Sequence, residues 1–390
     1  MVLAALASAP GTVSGGLEAR DSSLMREALR CLGVAIDDRD PDRWEVTPPG
    51  EFRAGADIDC GLAGTVARFV PPVAALARGT TRFHGDPAAS SRPVAPLLDG
   101  LRQCGATVVG TSLPFAVSGP AVGGSVAIDA AGSSQFLSGL LLAAPRYERG
   151  LRLRHVGDAA VPSLPYVNQT VADLRSRGVT VRTDGEGAWV VAPGPVAAAH
   201  TVVQPDLMNA AAFLAAAVVS GGSVTVPGWP TGRDLPGTDV PELLARFGAT
   251  ATPTPEGLTL THPGGGWDGM DLDLHSTSEL TPVVAVLMAL AQSPSRITGV
   301  AHIRGHETDR LAALATELGR HGALVTELPD GLRITPGPLH GGPWHCYADH
   351  RLAHAGALLG LAVDGVVLDD VACTAKTMPQ FPEVWAGMVR

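Results

Sequence analysis

Two phrases of hydrophobic patterning alternate along the chain. The first sets leucines and other apolar residues at helical spacing, stops on a glycine, and continues into a small residue and a β-branched stretch. Its copies are LMREALRCLGVAI from Leu24, LLDGLRQCGATVV from Leu97, VADLRSRGVTVR from Val171, ELLARFGATAT from Glu242 and LATELGRHGALVT from Leu314. A 3.6-residue period that ends on glycine and gives way to a period of two predicts helix, glycine C-cap and strand each time. The glycines Gly33, Gly105, Gly178, Gly248 and Gly322 recur at intervals of 70 to 74 residues. Such even spacing marks a structural repeat.

The second phrase is a run of almost nothing but Ala, Val, Leu and Gly, followed by a turn and a strand. It begins at Val2, Val70, Leu137, Ala211, Val283 and Ala355. A helix that is apolar all round is buried on every side. Six copies predict six α/β units with buried helices, grouped as two lobes of three, 1–230 and 231–390, with an active site in the cleft between them. The last unit ends in FPEVWAGMV from Phe381 with no strand after it, and the first begins inside its Ala-rich helix. The expectation is that the strand before Met1 is missing, through a start placed too late.

Composition narrows the class. With 390 residues, 45% of them hydrophobic and 17% charged, the chain is too long for one core and too apolar for a disordered protein. Its 47 glycines and 4% aromatics imply close approach of backbones. A net charge of −10 leaves no basic field for nucleic acid or an anionic membrane, so an anionic ligand must find a local cationic pocket. Among 28 basic residues only Lys376 is a lysine. A compact ammonium does what an arginine fork does not, so that position stands out. Five scattered cysteines without a C-x-x-C pair argue against a disulfide framework or a zinc site and fit reduced thiols in the cytoplasm. The apolar opening lacks a cationic region before it, and the longest apolar runs fall short of a bilayer span.

Phosphate-loop, dinucleotide and zinc-protease signatures are absent. What remains is a polar cluster at the start of nearly every buried helix or at a strand end: Gly64 to Arg68, Ser91-Arg92, Ser133-Ser134-Gln135, Ser163 with Tyr166, Ser278-Glu279, His302 to Arg310, Asp349-His350-Arg351 and Thr374 to Thr377. Helix starts with unpaired N–H groups beside Arg and Lys suit phosphate and carboxylate. Taken singly each cluster reads as a cap or a surface pair; jointly they predict a site for oxyanion-rich substrates. Glu279 and Glu307 lie in different settings, which suits separate base and acid roles.

The blocks CGLAGTVARF from Cys60, SSRPVAPLLDGL from Ser90, SSQFLSGLLL from Ser133, HIRGHETDRLAAL from His302, YADHRLAHAGAL from Tyr347 and CTAKTMPQFPEVW from Cys373 resemble the 5-enolpyruvylshikimate-3-phosphate synthase family, in order and over nearly the whole chain. The resemblance implies a two-lobed inverted α/β barrel with its helices inside. It implies transfer of the enolpyruvyl group of phosphoenolpyruvate to the 5-hydroxyl of shikimate 3-phosphate by addition and elimination, with no metal or organic cofactor, in a cytoplasmic monomer of the aromatic pathway. By resemblance Arg92, Arg310, Arg351 and Lys376 hold phosphoenolpyruvate, with Gly64 and Thr65 lining its pocket. Ser133, Ser134, Gln135, Ser163, His302 and His306 meet shikimate 3-phosphate, Glu279 takes the 5-hydroxyl proton, and Glu307 assists proton transfer at the methylene carbon. Arg68 is expected to order the pocket.

This sequence departs from the family pattern in places. The family's P-G-x-K-S-x-x-x-R opening does not precede the first helix, Leu62 stands where many members have Asn, His302 and His306 where many have Asn and Lys, and Met208 in a normally polar turn. Two other readings therefore stay open at this level: an enolpyruvyl transferase with another acceptor, and a non-catalytic anion-binding paralogue. Gly64 leaves the pocket clear of a methyl group, from which glyphosate sensitivity is expected.

Overall fold

A computed structural model describes residues 1–230 and 235–389. The chain forms two compact units, Met1–Val203 and Gln204–Arg390. The expected lobe boundary after residue 230 adjoins residues 231–234, which lie outside the described residues.

The repeat is visible as one motif. In the strands Asp57–Asp59, Gly79–His84, Phe115–Gly119 and Thr107–Val109, in that spatial order, the first two run parallel and the others antiparallel. The Gly64–Ala74 helix makes the parallel crossover, and the Ala95–Gln103 helix leads into the closing hairpin. Strands Gly124–Ile128, Leu151–His155, Ala188–Val191 and Val181–Thr183 repeat the arrangement, as do Asp271–Asp273, Ser295–Thr298, Gly331–Thr335 and Leu324–Leu328. The first sheet takes its parallel strand from His200–Val202, which lies beside Gly11–Ser14 with Val13 opposite Thr201. The remaining two sheets are smaller, of three strands (Ser223–Pro227, Gly257–Thr261, Thr250–Pro253) and two (Gly342–Trp344, Val366–Leu368).

All six apolar phrases form helices: Val2–Ala5, Gly64–Ala74 and Gln135–Ala143 in the first unit, and Leu207–Ser220, Thr281–Ala289 and His350–Leu359 in the second. Every residue of Thr281–Ala289 is buried. These helices form the interior of each unit, the inverted arrangement expected from their patterning. Small residues bring their backbones together. At Gly139 a Cβ would stand 2.2 Å from the Arg68 carbonyl oxygen, so glycine is what lets the Gln135–Ala143 helix seat on the Gly64–Ala74 helix.

The five amphipathic helices end alike. Gly33, Gly105, Gly178, Gly248 and Gly322 take φ between 77° and 105°. The residue after each donates its N–H to a carbonyl five positions back, Val34 to Leu29 at 3.1 Å and Ala323 to Leu318 at 3.0 Å among them. That bond is the Schellman closure, which turns the chain from helix to strand and favours glycine at the left-handed position. The phrase from Phe381 also forms a helix, Phe381–Met388.

Candidate functional site

In the first unit Gly64 and Thr65 open the Gly64–Ala74 helix, where backbone N–H groups have no partner within the helix and favour an anion. Two guanidiniums converge there. Arg92 Nη1 donates to the Leu62 carbonyl at 2.8 Å. The buried Arg68 donates through Nη1 to Gln135 Oε1 at 2.8 Å and through Nη2 to the Pro93 carbonyl at 3.0 Å. A Cβ on Gly64 would lie 2.6 Å from Arg68 Nη1 and 3.0 Å from Arg92 Nη2, so the missing methyl makes room for both. Gly61, Leu62, Gly64, Arg68, Arg92 and Pro93 line a small pocket. Arg68 is tied to a carbonyl and an amide at the edge of this pocket.

Gln135 joins that pocket to the next cluster. Ser134 is the buried N-cap residue of the Gln135–Ala143 helix, and Ser133 Oγ accepts the Gln135 N–H at 3.3 Å. Ser163 precedes the Leu164–Ser176 helix in a left-handed conformation, φ 50° and ψ 42°, unusual for a residue with a Cβ. The Leu164–Ser176 helix is tied to the first by Thr170 Oγ1 donating to Ser138 Oγ at 3.0 Å. The structure thus joins Gly64, Thr65, Arg92, Ser133, Ser134 and Gln135 through Arg68, and sets Ser163 on the adjoining helix.

The second unit gathers its predicted residues around Arg310, the first residue of the Arg310–Arg320 helix, whose side chain is 1% exposed. Three carboxylates enclose it. Asp349 pairs at 2.7 Å with Nε and 3.2 Å with Nη2, Glu279 Oε2 lies 2.9 Å from Nη1, and Glu307 Oε2 lies 2.9 Å from Nη2. Glu307 turns its other oxygen to Lys376 Nζ at 2.6 Å. Glu279 Oε2 also lies 3.4 Å from Arg351 Nε, and Oε1 lies 3.3 Å from His306 Nδ1. Arg351 Nη1 donates to the Met208 carbonyl at 2.7 Å. At Met208, singled out in the sequence for its side chain, it is the backbone that takes part.

Electrostatics fixes the charge states of Glu279, Arg310 and His302 in this network. Burial raises the Glu279 pKa, but Arg310, His306 and Arg351 outweigh it and hold the carboxyl well below its usual range. Burial also opposes charge on Arg310, and Asp349, Glu279 and Glu307 more than reverse that. Burial, helped by His306 and His275, pushes His302 down to about 4. The neutral imidazole of His302 hydrogen-bonds Ser278 Oγ at 2.8 Å, and its ring lies 5.9 Å from that of His306. At neutral pH the network therefore holds Glu279 ionised, and it sets Glu307 between Arg310 and Lys376.

Sequence reasoning missed the part played by Asp349. It caps the His350–Leu359 helix by accepting the Arg351 N–H at 2.8 Å while binding Arg310. The signal was present as an acidic residue immediately before an apolar helical run, which is an N-cap pattern. Among the described residues no group of three or more His, Cys, Asp or Glu side chains is placed to hold a metal ion, and no helix is long and apolar enough to cross a membrane.

Comparison with known proteins bears on this geometry. A family model described as EPSP synthase (3-phosphoshikimate 1-carboxyvinyltransferase) matches residues 1–385. A 3-phosphoshikimate 1-carboxyvinyltransferase from Kocuria rhizophila is 52% identical, covering all of this chain and 90% of the relative. Among solved structures, an EPSP synthase from Acinetobacter baumannii superposes with a TM-score of 0.79 at 23% identity, covering 99% of this chain and 91% of the other. The enolpyruvyl transferase NikO from Streptomyces tendae superposes with a TM-score of 0.75 at 20% identity, covering 100% and 91%. These two likenesses concern the fold, which is the enolpyruvyl transferase architecture of two-lobed inverted α/β barrels.

Proposed function

Since this chain belongs to the EPSP synthase family, we propose that its two residue sets together move the carboxyvinyl group of phosphoenolpyruvate onto the 5-hydroxyl of shikimate 3-phosphate and release phosphate. The first unit supplies hydroxyls, an amide and helix N-termini for the acceptor's phosphate and ring, through Ser133, Ser134, Gln135 and Ser163, with Gly64, Thr65 and Arg92 for phosphoenolpyruvate. The second supplies the proton chemistry. Glu279, ionised beside Arg310, takes the proton of the 5-hydroxyl as its oxygen attacks C2 of phosphoenolpyruvate. The Glu307–Lys376 pair delivers a proton to C3 and takes one back as the tetrahedral adduct expels phosphate, with Arg310, Arg351 and Lys376 offsetting the negative charge of carboxylate and phosphate. His302 and His306 line the acceptor side of Glu279. Five cysteines with no disulfide among them fit work in the reducing cytoplasm.

The observation that carries this reading is the 2.6 Å contact of Lys376 Nζ with Glu307, which itself binds the arginine that holds Glu279. The test is phosphate release on mixing the chain with phosphoenolpyruvate and shikimate 3-phosphate. Release is expected only when both are present. Phosphoenolpyruvate binding without release, whatever the concentration of shikimate 3-phosphate, would reject this acceptor.

A further inference from the structure

The turn leading into the His350–Leu359 helix runs against its own backbone preferences. Tyr347 and Ala348 take φ of 55° and 53°, in the left-handed region where a Cβ crowds the neighbouring carbonyl. Two such residues in succession persist where the surroundings hold them. Around this turn the holding group is Glu317. It follows Arg310 by seven residues on the same helix, two turns along and so on the same face. Its side chain is wholly buried. Oε2 accepts the His345 backbone N–H at 3.0 Å and Oε1 accepts the Tyr347 hydroxyl at 2.8 Å. Arg320 Nη1 donates to the two oxygens at 3.0 and 2.9 Å. The next peptide is held by Asp369, whose Oδ1 accepts the Cys346 N–H at 2.9 Å. The turn closes with the Asp349 N–H on the Cys346 carbonyl at 2.8 Å, and Asp349 divides its carboxylate between Arg310 and the Arg351 N–H.

We propose that Glu317 is a positioning residue for the reaction: it clasps the backbone of His345 and the hydroxyl of Tyr347, keeps Tyr347 and Ala348 left-handed, and thereby sets Asp349 against Arg310 and starts the helix that carries Arg351. The inference rests on the assignment of Arg310 and Arg351 to phosphoenolpyruvate. The Arg310–Arg320 helix is fastened to this turn at two points, Arg310 on Asp349 and Glu317 on His345 and Tyr347. With the second fastening removed, Tyr347 and Ala348 relax to the right-handed region, Asp349 leaves Arg310, and the two arginines lose their mutual alignment. Glu279, Glu307 and Lys376 keep their chemistry. The loss therefore falls on phosphoenolpyruvate binding more than on turnover.

The test uses the full chain carrying Glu317→Gln, alone and with Ala348→Gly, since glycine adopts the left-handed turn without a clasp. Glu317→Gln is expected to raise KM for phosphoenolpyruvate about tenfold, with kcat and KM for shikimate 3-phosphate changed by less than about threefold. Adding Ala348→Gly is expected to recover most of that loss, which a general weakening of the fold would not allow. In parallel, hydrogen exchange at the Arg351 amide is expected to quicken in Glu317→Gln and slow again in the double variant. An unchanged KM in folded Glu317→Gln, or no recovery with Ala348→Gly, overturns the proposal. Should wild-type chain prove inactive, the functional reading fails by itself, and the exchange comparison still decides whether Glu317 holds the turn. Tyr347→Phe, which removes one hydroxyl from the clasp, is expected to shift both readouts in the same direction by less, and carries the comparison if Glu317→Gln does not fold.

Discussion

The clusters of the two units hold Arg68 and Arg92, on one side, and Arg310, on the other, in different ways. In the first, a carbonyl and a side-chain amide orient Arg68, and another carbonyl orients Arg92. These described contacts are to neutral oxygens, which orient a guanidinium through hydrogen bonds. In the second unit, three carboxylates enclose Arg310, and one of them bridges to Lys376. Charges matched in this way are costly to bury singly but stable as a set, and they hold Glu279 ionised. The same side chain thus sits in two settings, oriented by carbonyl and amide oxygens in one unit and enclosed by carboxylates in the other.

The strongest challenge to this contrast falls on Lys376. Lys376→Ala is expected to lower kcat/KM by about a thousandfold, and Lys376→Arg by clearly less, because the fork keeps the charge but not the point contact with Glu307. Wild-type activity in both variants would take Lys376 out of the reaction and reduce the second unit to a structural ion network.

Acid should then separate the units. His302, at about 4, and His350 and His354, pushed well below their ordinary value by burial and then by Arg351, stay neutral in the folded chain and gain protons once unfolded. Between pH 6.5 and 4 the unfolded chain binds more protons, so stability rises with pH and is lost as pH falls through that window, by up to about 3 kcal/mol for His302 alone. Hydrogen exchange corrected for intrinsic rates is expected to show peptides of the second unit losing protection at pH 5 relative to pH 7 while those of the first keep theirs. Equal losses in both would break the comparison.

The smallest expected effect sharpens the first unit's side. Gly64→Ala puts a methyl against Arg68 Nη1 and Arg92 Nη2, the far ends of flexible side chains that can give way. KM for phosphoenolpyruvate is expected to rise about tenfold, with the pH profile of kcat unchanged because the proton-transfer groups lie elsewhere. A shifted profile in steady-state kinetics would mean that the first unit also governs proton transfer.

What the sequence makes legible follows the range of the interactions involved. A Schellman turn is a local event, so five glycines announce five helix-to-strand junctions, and six apolar helices announce six units. Sheet order is not local: nothing around His200 indicates that it lies beside Thr12 at the other end of its unit. The site divides in the same way. Glu279, Glu307, Arg310, Arg351 and Lys376 stand in motif blocks, and the structure links them. That Asp349 reaches Arg310 across 39 residues is a tertiary fact. Glu317, on an amphipathic helix, reads in sequence as a solvated charge, yet it is buried because the 345–349 turn folds over it.

The contact at Gly139 sets a tolerance within the first unit. Where leucine or methionine separates two helices, an added methylene is met by shifts of rotamer and backbone at a cost of about 1–3 kcal/mol. Here the Gln135–Ala143 helix rests directly on the Arg68 carbonyl, so the backbone spacing of the two helices is set at that point and only side-chain ends remain to adjust. A larger residue at this one glycine meets backbone and pushes the two helices apart, carrying Arg68 and Gln135 with them.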